Sequence, residues 1–131
     1  MTAPTVAVIE DDDSMRRALQ RLLGAAGFGS AGYASAEEYL REQTSPGADC
    51  IVCDQNLPVM TGLEFLDAMN VELGKVPLIL ITAFDRPGLG QRAADSGASA
   101  FLIKPFSGAA FLDAVRTAIA LSGKSVSPLG Q

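Results

Sequence analysis

The sequence predicts an α/β fold, with five strands and five helices that form a doubly wound parallel sheet in one domain. Short apolar segments alternate five times with longer segments of helical periodicity, and the apolar segment in the middle of the chain is continuous. A continuously apolar strand is typical of a parallel sheet with helices on both faces. A chain of 131 residues is long enough for one domain with a substantial core and too short for two ordinary domains.

The first strand is predicted at Thr5–Ile9 and stops at an acidic run, residues 10–13. An amphipathic helix follows, because apolar residues recur at spacings of three and four over residues 15–26. Gly27 is placed to end this helix, and the end of the acidic run or the next residue is expected to cap its start.

The second strand, at about residues 28–33, is rich in glycine and is therefore expected at an edge of the sheet. Ser35 and Glu38 form a capping box that opens the second helix, with Tyr39 and Leu40 expected on its apolar face. Ser35 is accordingly interpreted as a helix cap and not as a nucleophile.

The third strand is predicted at residues 50–53, is apolar throughout and ends at Asp54. Cys50 and Cys53 form a Cys-x-x-Cys string, which invites a redox interpretation. Residues i and i+3 of a strand point to opposite faces, and redox pairs of this spacing sit at a helix N-terminus. Two buried core residues are therefore the preferred interpretation.

A third helix should begin after Gly62, and a fourth strand at residues 78–81 ends at Thr82. The fourth helix is expected at roughly Leu89–Asp95. It should be short or mobile, because proline and glycine are frequent in residues 84–90, where it would begin.

The fifth strand is predicted at Ala100–Ile103 and ends at Lys104. The last helix should span about residues 107–121. Residues 1–121 thus form the predicted domain. Residues 122–131 are rich in Gly, Ser and Pro, and we expect a flexible tail or the start of a linker there.

Composition excludes several classes of function. The net charge of −5 argues against non-specific binding to nucleic acid or to anionic membranes. No apolar run approaches the roughly 20 residues of a membrane span, and the N-terminus lacks a secretory signal, so a cytoplasmic protein is expected. The absence of histidine excludes a Ser-His-Asp or Cys-His catalytic unit, a His-ligated metal and a phosphohistidine.

Polar side chains follow four of the predicted strands, and one parallel sheet would bring them to a single edge. They are Glu10, Asp11, Asp54, Thr82 and Lys104. Such an oxygen-rich set suits Mg²⁺ better than a soft transition metal. A carboxylate, a hydroxyl and an ammonium around Mg²⁺ predict a phosphoryl-transfer site, with Asp54 as the nucleophile.

Each of these residues alone has an ordinary structural explanation. Residues 10–13 could be an acid-enriched helix N-terminus, which the helix dipole favours. Asp54 could start a turn, Thr82 could be a strand-end hydroxyl, and Lys104 could be a solvated loop charge. The phosphoryl-transfer interpretation rests on their occurrence in order at successive strand ends.

The motifs together resemble the receiver domain of two-component response regulators, and most closely the receivers of nitrogen-fixation and LuxR-type transcription regulators. The resemblance covers about residues 5–121. The motifs that carry it are Ile9-Glu10-Asp11-Asp12, Asp54-x-x-Leu57-Pro58-x-Met60-Thr61-Gly62, Thr82-Ala83 and Lys104-Pro105-Phe106. It implies a flavodoxin-like fold with strand order 2-1-3-4-5.

The resemblance also implies a role for each matching residue. Asp54 would be the phosphoacceptor and Asp11 a direct Mg²⁺ ligand. Glu10 would bind the metal directly or through water, and Asp54 and the backbone carbonyl of Asn56 would complete the protein ligands.

Three further residues would respond to the phosphoryl group. Thr82 would move to bond it, Phe101 would be an aromatic switch coupled to Thr82, and Lys104 would pair with the phosphoryl oxygens beside a peptide to Pro105 that is usually cis in the family.

Three features depart from the commonest family pattern. Glu10 replaces the more usual aspartate, which changes the reach of the carboxylate. Asn56 stands at the second position after the acceptor, which influences dephosphorylation in this family. The proline and glycine of residues 84–90 put the usual geometry of the fourth helix in doubt.

The function expected from the resemblance is a phosphorylation-dependent switch that is not a turnover enzyme. A sensor histidine kinase or a histidine phosphotransfer protein would supply the phosphoryl group. The output face would be helix 4, strand 5 and helix 5, acting on an effector domain or a protein target, with phosphorylation-dependent homodimerisation as a family expectation. We expect no direct nucleic-acid binding by this chain.

Two other classes remain as alternatives. A phosphohydrolase with an aspartate nucleophile would want an acid two residues after Asp54, where this chain has Asn56. A pseudo-receiver would bind partners without phosphorylation, against which the complete set of acids, threonine and lysine argues.

Overall fold

A computed structural model describes residues 3–42, 47–72 and 76–122 of the chain, which form five strands and five helices in strict alternation. The strands pair in parallel in the order β2-β1-β3-β4-β5. The elements are β1 (Thr5–Ile9), α1 (Asp13–Ala25), β2 (Gly29–Tyr33), α2 (Ala36–Arg41), β3 (Cys50–Asp54), α3 (Gly62–Glu72), β4 (Leu78–Thr82), α4 (Leu89–Asp95), β5 (Ala100–Ile103) and α5 (Gly108–Leu121). The predicted fold class and strand order are confirmed.

The start and end of α1 follow from local chemistry. The Asp12 side chain accepts a hydrogen bond from the Met15 amide at 2.9 Å and so caps the first turn. Gly27 has φ of +94°, a left-handed conformation that glycine adopts without a steric penalty, and the chain turns there into β2. Both ends were predicted, because the acidic run and the glycine stand just outside the amphipathic segment.

The capping box of α2 differs in one bond from the expected arrangement. Ser35 Oγ accepts from the Glu38 amide at 3.0 Å, but the Glu38 carboxylate accepts from the Ala34 amide, at 2.7 Å, and not from that of Ser35. Tyr39 is buried and meets the Tyr33 ring edge-on, with centroids 5.2 Å apart. The prediction that Leu40 is buried was wrong, since it is 40% exposed: Tyr39 takes the inward direction, and the next residue turns about 100° away.

The helices cover both faces of the sheet, and each face has its own core cluster. Ile51, Phe65 and Leu80 belong to the cluster that includes residues of α2, α3 and α4, whereas Val52 and Phe111 belong to the one under α1 and α5. Strands β3 and β4 are buried along their whole length. Alternate residues of a strand therefore enter opposite clusters, as a doubly wound parallel sheet requires.

The two cysteines are core residues of opposite faces. Cys53 lies in the α2–α3–α4 cluster and Cys50 in the α1–α5 cluster, and both are free thiols with no exposed surface. Burial raises the pKa of Cys50 to about 12 and the pKa of Cys53 further still. The preference for a packing role over a redox pair is therefore supported by geometry.

Helix α4 spans seven residues, as its proline- and glycine-rich approach predicted. Gly88 precedes it with φ of +83° and provides no side-chain cap. In α5, Leu112 is only half-buried, because Phe111 and Val115 take the inward positions. Among the described helices none has the length and apolar character of a membrane span.

The predicted tail lies almost wholly outside the described residues, which end at residue 122. The prediction of a flexible tail or linker therefore stays a prediction.

Candidate functional site

Three carboxylates converge where β1 and β3 end side by side. Glu10 and Asp54 are buried, with 1% and 4% of their surfaces exposed, and Asp11 is exposed. One oxygen atom of each lies within 4.8 Å of an oxygen of the other two. The parallel pairing of β1 with β3 produces this proximity, because it brings the carboxyl ends of both strands to one edge.

Lys104 reaches this cluster from the end of β5. Its ammonium lies 2.7 Å from Glu10 Oε1 and 3.2 Å from Asp54 Oδ2. Burial raises the pKa of Glu10 to about 7, although the hydrogen bond from Lys104 acts in the opposite direction. Burial alone would lower the pKa of Lys104, but its contacts with the two carboxylates outweigh that effect and raise it. The peptide between Lys104 and Pro105 is cis, as the family resemblance implied.

Backbone groups fix the Glu10 position. Glu10 Oε2 accepts from the Asp12 amide at 3.1 Å, and the Glu10 amide donates to the Tyr33 carbonyl at 2.9 Å. Arg16 Nη1 donates to the Glu10 carbonyl at 2.8 Å, while its Nη2 bonds the Asp13 carboxylate. The acidic end of β1 is therefore held from β2 and from the first turn of α1.

Asp54 is held by the loop that follows it. Its Oδ1 accepts a hydrogen bond from the backbone amide of Asn56 at 3.0 Å. Gln55 Oε1 accepts one from the backbone amide of Leu63 at 2.9 Å, which ties this loop to α3. A Cβ on Gly62 would lie 2.8 Å from the Asp54 carbonyl oxygen. Only glycine lets the start of α3 approach the acceptor so closely.

Thr82 is buried at the end of β4, and its hydroxyl connects two loops. Thr82 Oγ1 donates to Asn56 Oδ1 at 2.9 Å and accepts from the Phe84 amide at 3.1 Å. The side chain of Asn56 is thus part of the site, whereas the sequence had suggested only its backbone carbonyl as a ligand.

Phe101 lies further from the carboxylates. It pairs with Leu80 in the sheet, whereas Thr82 pairs with Ile103, and its half-buried ring packs on the cluster that includes residues of α4. A Cβ on Gly90 would be 3.4 Å from the Phe101 ring, so the ring lies under the start of α4. Its role as a switch stays a prediction.

The site offers only hard oxygen ligands. Glu10, Asp11 and Asp54 are carboxylates, and neither of the two cysteines, which belong to the core clusters, is part of this group. Mg²⁺ accepts one or two carboxylates and retains water, and the exposed Asp11 leaves the site open to solvent. The residues present therefore fit Mg²⁺.

Two residues of the site were missed from the sequence. Arg16, which bonds the Glu10 carbonyl, was not singled out from the sequence, because nothing in the helical pattern distinguishes it from its neighbours. Gly62 was noted in a motif without its reason, which is the close approach to Asp54.

Residues 6–116 match the family model of the response regulator receiver domain. The chain is 32% identical over 120 residues to the transcriptional regulatory protein TdiR of Thauera aromatica, covering 92% of this chain and 53% of that protein. It is 34% identical over 119 residues to the transcriptional regulatory protein FixJ of Azorhizobium caulinodans, covering 91% and 56%. The chain thus spans about half the length of these curated relatives.

Solved structures agree with the fold. A CheY-like receiver domain from Methanospirillum hungatei superposes with a TM-score of 0.86 at 19% identity, covering 93% of this chain and 98% of that one. The structure of FixJ-N superposes with a TM-score of 0.82 at 28% identity, covering 92% and 96%.

Proposed function

This chain belongs to the response regulator receiver domain family, and we propose that it is a phosphorylation-dependent switch with Asp54 as its phosphoacceptor. A histidine kinase or a histidine phosphotransfer protein in the cytoplasm is the proposed phosphodonor. The observation that carries this proposal is the buried Asp54 carboxylate, grouped with two further carboxylates and contacted by the Lys104 ammonium.

The proposed reaction is a displacement at phosphorus. An Asp54 carboxylate oxygen attacks, the O–P bond forms, and the N–P bond of the donor's phosphohistidine breaks, with the electron pair leaving on the imidazole nitrogen. The backbone amide of Asn56, which donates to Asp54 Oδ1 at 3.0 Å, orients the nucleophile. Lys104, 3.2 Å from Asp54 Oδ2, offsets negative charge on the transferred oxygens.

Asp11, Asp54 and the backbone carbonyl of Asn56 are the proposed direct Mg²⁺ ligands, and Glu10 would bind the metal directly or through water. The bound ion would supply positive charge that neutralises the phosphoryl oxygens. Asp11 is the exposed member and so the one that can meet an incoming hydrated cation.

The proposed response starts at Thr82. Its hydroxyl now bonds Asn56 and the Phe84 amide, so a move towards a phosphoryl group would break contacts that join two loops. Such a change would alter the face formed by α4, β5 and α5, with Phe101 beneath α4. An effector domain or a separate protein target would read that face, and phosphorylation-dependent pairing of two chains is part of this proposal.

In the proposed role, this chain neither turns over a substrate as an enzyme nor binds nucleic acid directly. The relatives are transcriptional regulators about twice its length. The chain therefore acts either alone or as the regulatory part of such a regulator.

The alternative function is a pseudo-receiver that binds partners without phosphorylation. Titration of Mg²⁺ by calorimetry separates the two functions. We expect saturable binding by the wild-type chain, strong weakening in Asp11→Asn, and no change in Asp113→Asn, which removes the same charge from an exposed site on α5. A wild-type chain that binds no Mg²⁺ would favour the pseudo-receiver.

A further inference from the structure

A cleft of about 340 Å³ opens next to the proposed phosphorylation site, between the loop after β3 and the segment that enters α4. Gln55, Asn56 and Thr61 line one side, and Arg86 and Arg92 are among the residues of the other. The proposed function uses the backbone around this cleft but assigns the cleft itself no ligand.

Each of the polar side chains on the first wall already accepts one hydrogen bond from the protein. Gln55 Oε1 and Thr61 Oγ1 each accept a backbone amide of α3, at 2.9 and 3.2 Å, and Asn56 Oδ1 accepts the Thr82 hydroxyl at 2.9 Å. Within the described residues, neither the Gln55 Nε2 nor the Asn56 Nδ2 side-chain nitrogen donates a hydrogen bond, and the Thr61 hydroxyl hydrogen is likewise unused. The side-chain N–H groups of Gln55 and Asn56 and the Thr61 O–H are therefore available to donate to a ligand in the cleft.

The opposite wall adds two positive charges. Arg86 and Arg92 are exposed, and over the part of the chain that is described their guanidinium groups form no ion pair or hydrogen bond. No carboxylate is among the lining residues. In a chain of net charge −5, a cleft with two unpaired guanidiniums and several unused N–H and O–H donors is complementary to an anion rich in acceptor oxygens.

The remaining lining is apolar. Phe84, Pro87 and Leu89 complete the cleft, and the Phe84 side chain is 60% exposed, although aromatic rings are normally buried. A ligand with a hydrocarbon group beside its anionic group would cover this ring and gain from its burial.

We propose that this cleft binds a phosphate monoester that carries an apolar group, with Arg86 and Arg92 bonding its phosphate. Two guanidiniums match the roughly two negative charges of a monoester near neutral pH. The apolar group would lie against Phe84 and Leu89.

Occupation of the cleft would be coupled to Thr82, a consequence that rests on the proposed function. The Thr82 hydroxyl joins the two walls, because it bonds Asn56 on one and the Phe84 amide on the other. If Thr82 moves on phosphorylation, the walls lose this link and ligand affinity changes. By linkage, the ligand then changes the phosphorylation equilibrium by the same factor.

The test measures ligand binding without phosphoryl transfer, so its outcome is independent of the proposed function. Phenyl phosphate is titrated into the full chain with EDTA at about pH 7.5, where the monoester is mostly a dianion, and amide shifts are followed by NMR. We expect saturable shifts at Asn56 and Phe84, and inorganic phosphate, which lacks the apolar group, should bind more weakly.

Matched variants locate the binding. The pair Arg86→Gln with Arg92→Gln should weaken phenyl phosphate binding about tenfold or more. Arg116→Gln makes the same change at an exposed position of α5 and should leave binding unaltered. An unchanged thermal midpoint shows that the variants fold. Absence of saturable shifts, equal weakening by Arg116→Gln, or equal affinity for inorganic phosphate would overturn the proposal.

Discussion

The Lys104 ammonium lies closer to Glu10 than to Asp54, at 2.7 Å from Glu10 Oε1 and 3.2 Å from Asp54 Oδ2. Both carboxylates are buried, and the Lys104 side chain is itself only 18% exposed. One cation therefore compensates two buried like charges, and the extra methylene of glutamate over aspartate carries the Glu10 carboxylate towards it.

Replacing Lys104 by methionine should destabilise the protein strongly when Mg²⁺ is absent. The variant leaves Glu10 and Asp54 buried without their cation, and breaking a buried ion pair from one side costs about 3 kcal/mol or more. Urea unfolding in EDTA measures the change. Arg116→Met, on the exposed side of α5, is the control and should stay within about 0.5 kcal/mol of the wild type. A loss in Lys104→Met no larger than in the control would contradict the shared-cation arrangement.

Replacing Thr82 by valine should cost about 1–3 kcal/mol in unfolding free energy. The substitution keeps the shape but leaves Asn56 Oδ1 and the Phe84 amide without their partner in a part-buried place. A double-mutant cycle with Asn56→Ala should give a coupling energy of about 1 kcal/mol. Thr117→Val in the exposed part of α5 is the matched control. Strict additivity of the two substitutions would mean that the hydroxyl and the amide do not interact in solution.

Alanine at two glycines should have opposite effects on stability. At Gly62 a Cβ would lie 2.6 Å from a Leu80 methyl and 2.8 Å from the Asp54 carbonyl oxygen, so Gly62→Ala should destabilise by about 1–3 kcal/mol. At Gly24, within α1, a Cβ meets nothing within 4 Å, and Gly24→Ala should stabilise by about 0.5–1 kcal/mol. Thermal unfolding of both variants checks the pair. Equal effects of the two substitutions would show that Gly62 is not in close contact with the Asp54 carbonyl oxygen.

The buried thiols should make stability fall as pH rises from about 9 towards 12. Burial raises the pKa of Cys50 from 9.0 to about 12, and that of Cys53 more, so the thiols ionise in the unfolded chain while they stay protonated in the fold. Ionisation then favours unfolding. At pH 10 each thiol should lower the unfolding free energy by roughly 1–2 kcal/mol relative to its value well below pH 9.

Urea unfolding at pH 8 and pH 10 measures this loss. The variant with alanine at both Cys50 and Cys53 is the reference, because it keeps the other groups that titrate in the interval. We expect the wild type to lose about 3 kcal/mol more than the reference between the two pH values. Equal losses would mean that the thiols are accessible to solvent in the native state.

The fold was predictable because its signals are local. The strand β1, the helix α4 and the strand β5 have the predicted bounds, since apolar runs, glycines and prolines punctuate the chain at those places. The burial of Leu40 was predicted wrongly. A helix of six residues has too few turns for periodicity to define its inner face. Tyr39 is the residue that faces inward, where its ring contacts Tyr33 of β2 and Phe65 of α3.

The convergence of the site residues at one edge of the sheet was also predictable, but the specific hydrogen bonds and ion pairs between them were not. The parallel strand order alone brings Glu10, Asp54 and Lys104 to one edge of the sheet, independently of side-chain contacts. The closer approach of Lys104 to Glu10 and the bond of Thr82 to Asn56 depend on contacts across 94 and 26 residues, which no local pattern encodes. The catalytic roles of these residues remain predictions.

Intact mass after incubation with acetyl phosphate and Mg²⁺ tests the central proposal most directly. We expect the wild-type chain to gain the mass of one phosphoryl group, to gain none when EDTA is added beforehand, and to gain none in Asp54→Asn. Asp113→Asn, on the exposed side of α5, should behave as the wild type does. A phosphoryl gain that persists in Asp54→Asn would contradict the assignment of the acceptor. Failure of the wild type to gain mass, together with failure to bind Mg²⁺, would replace the switch with the pseudo-receiver.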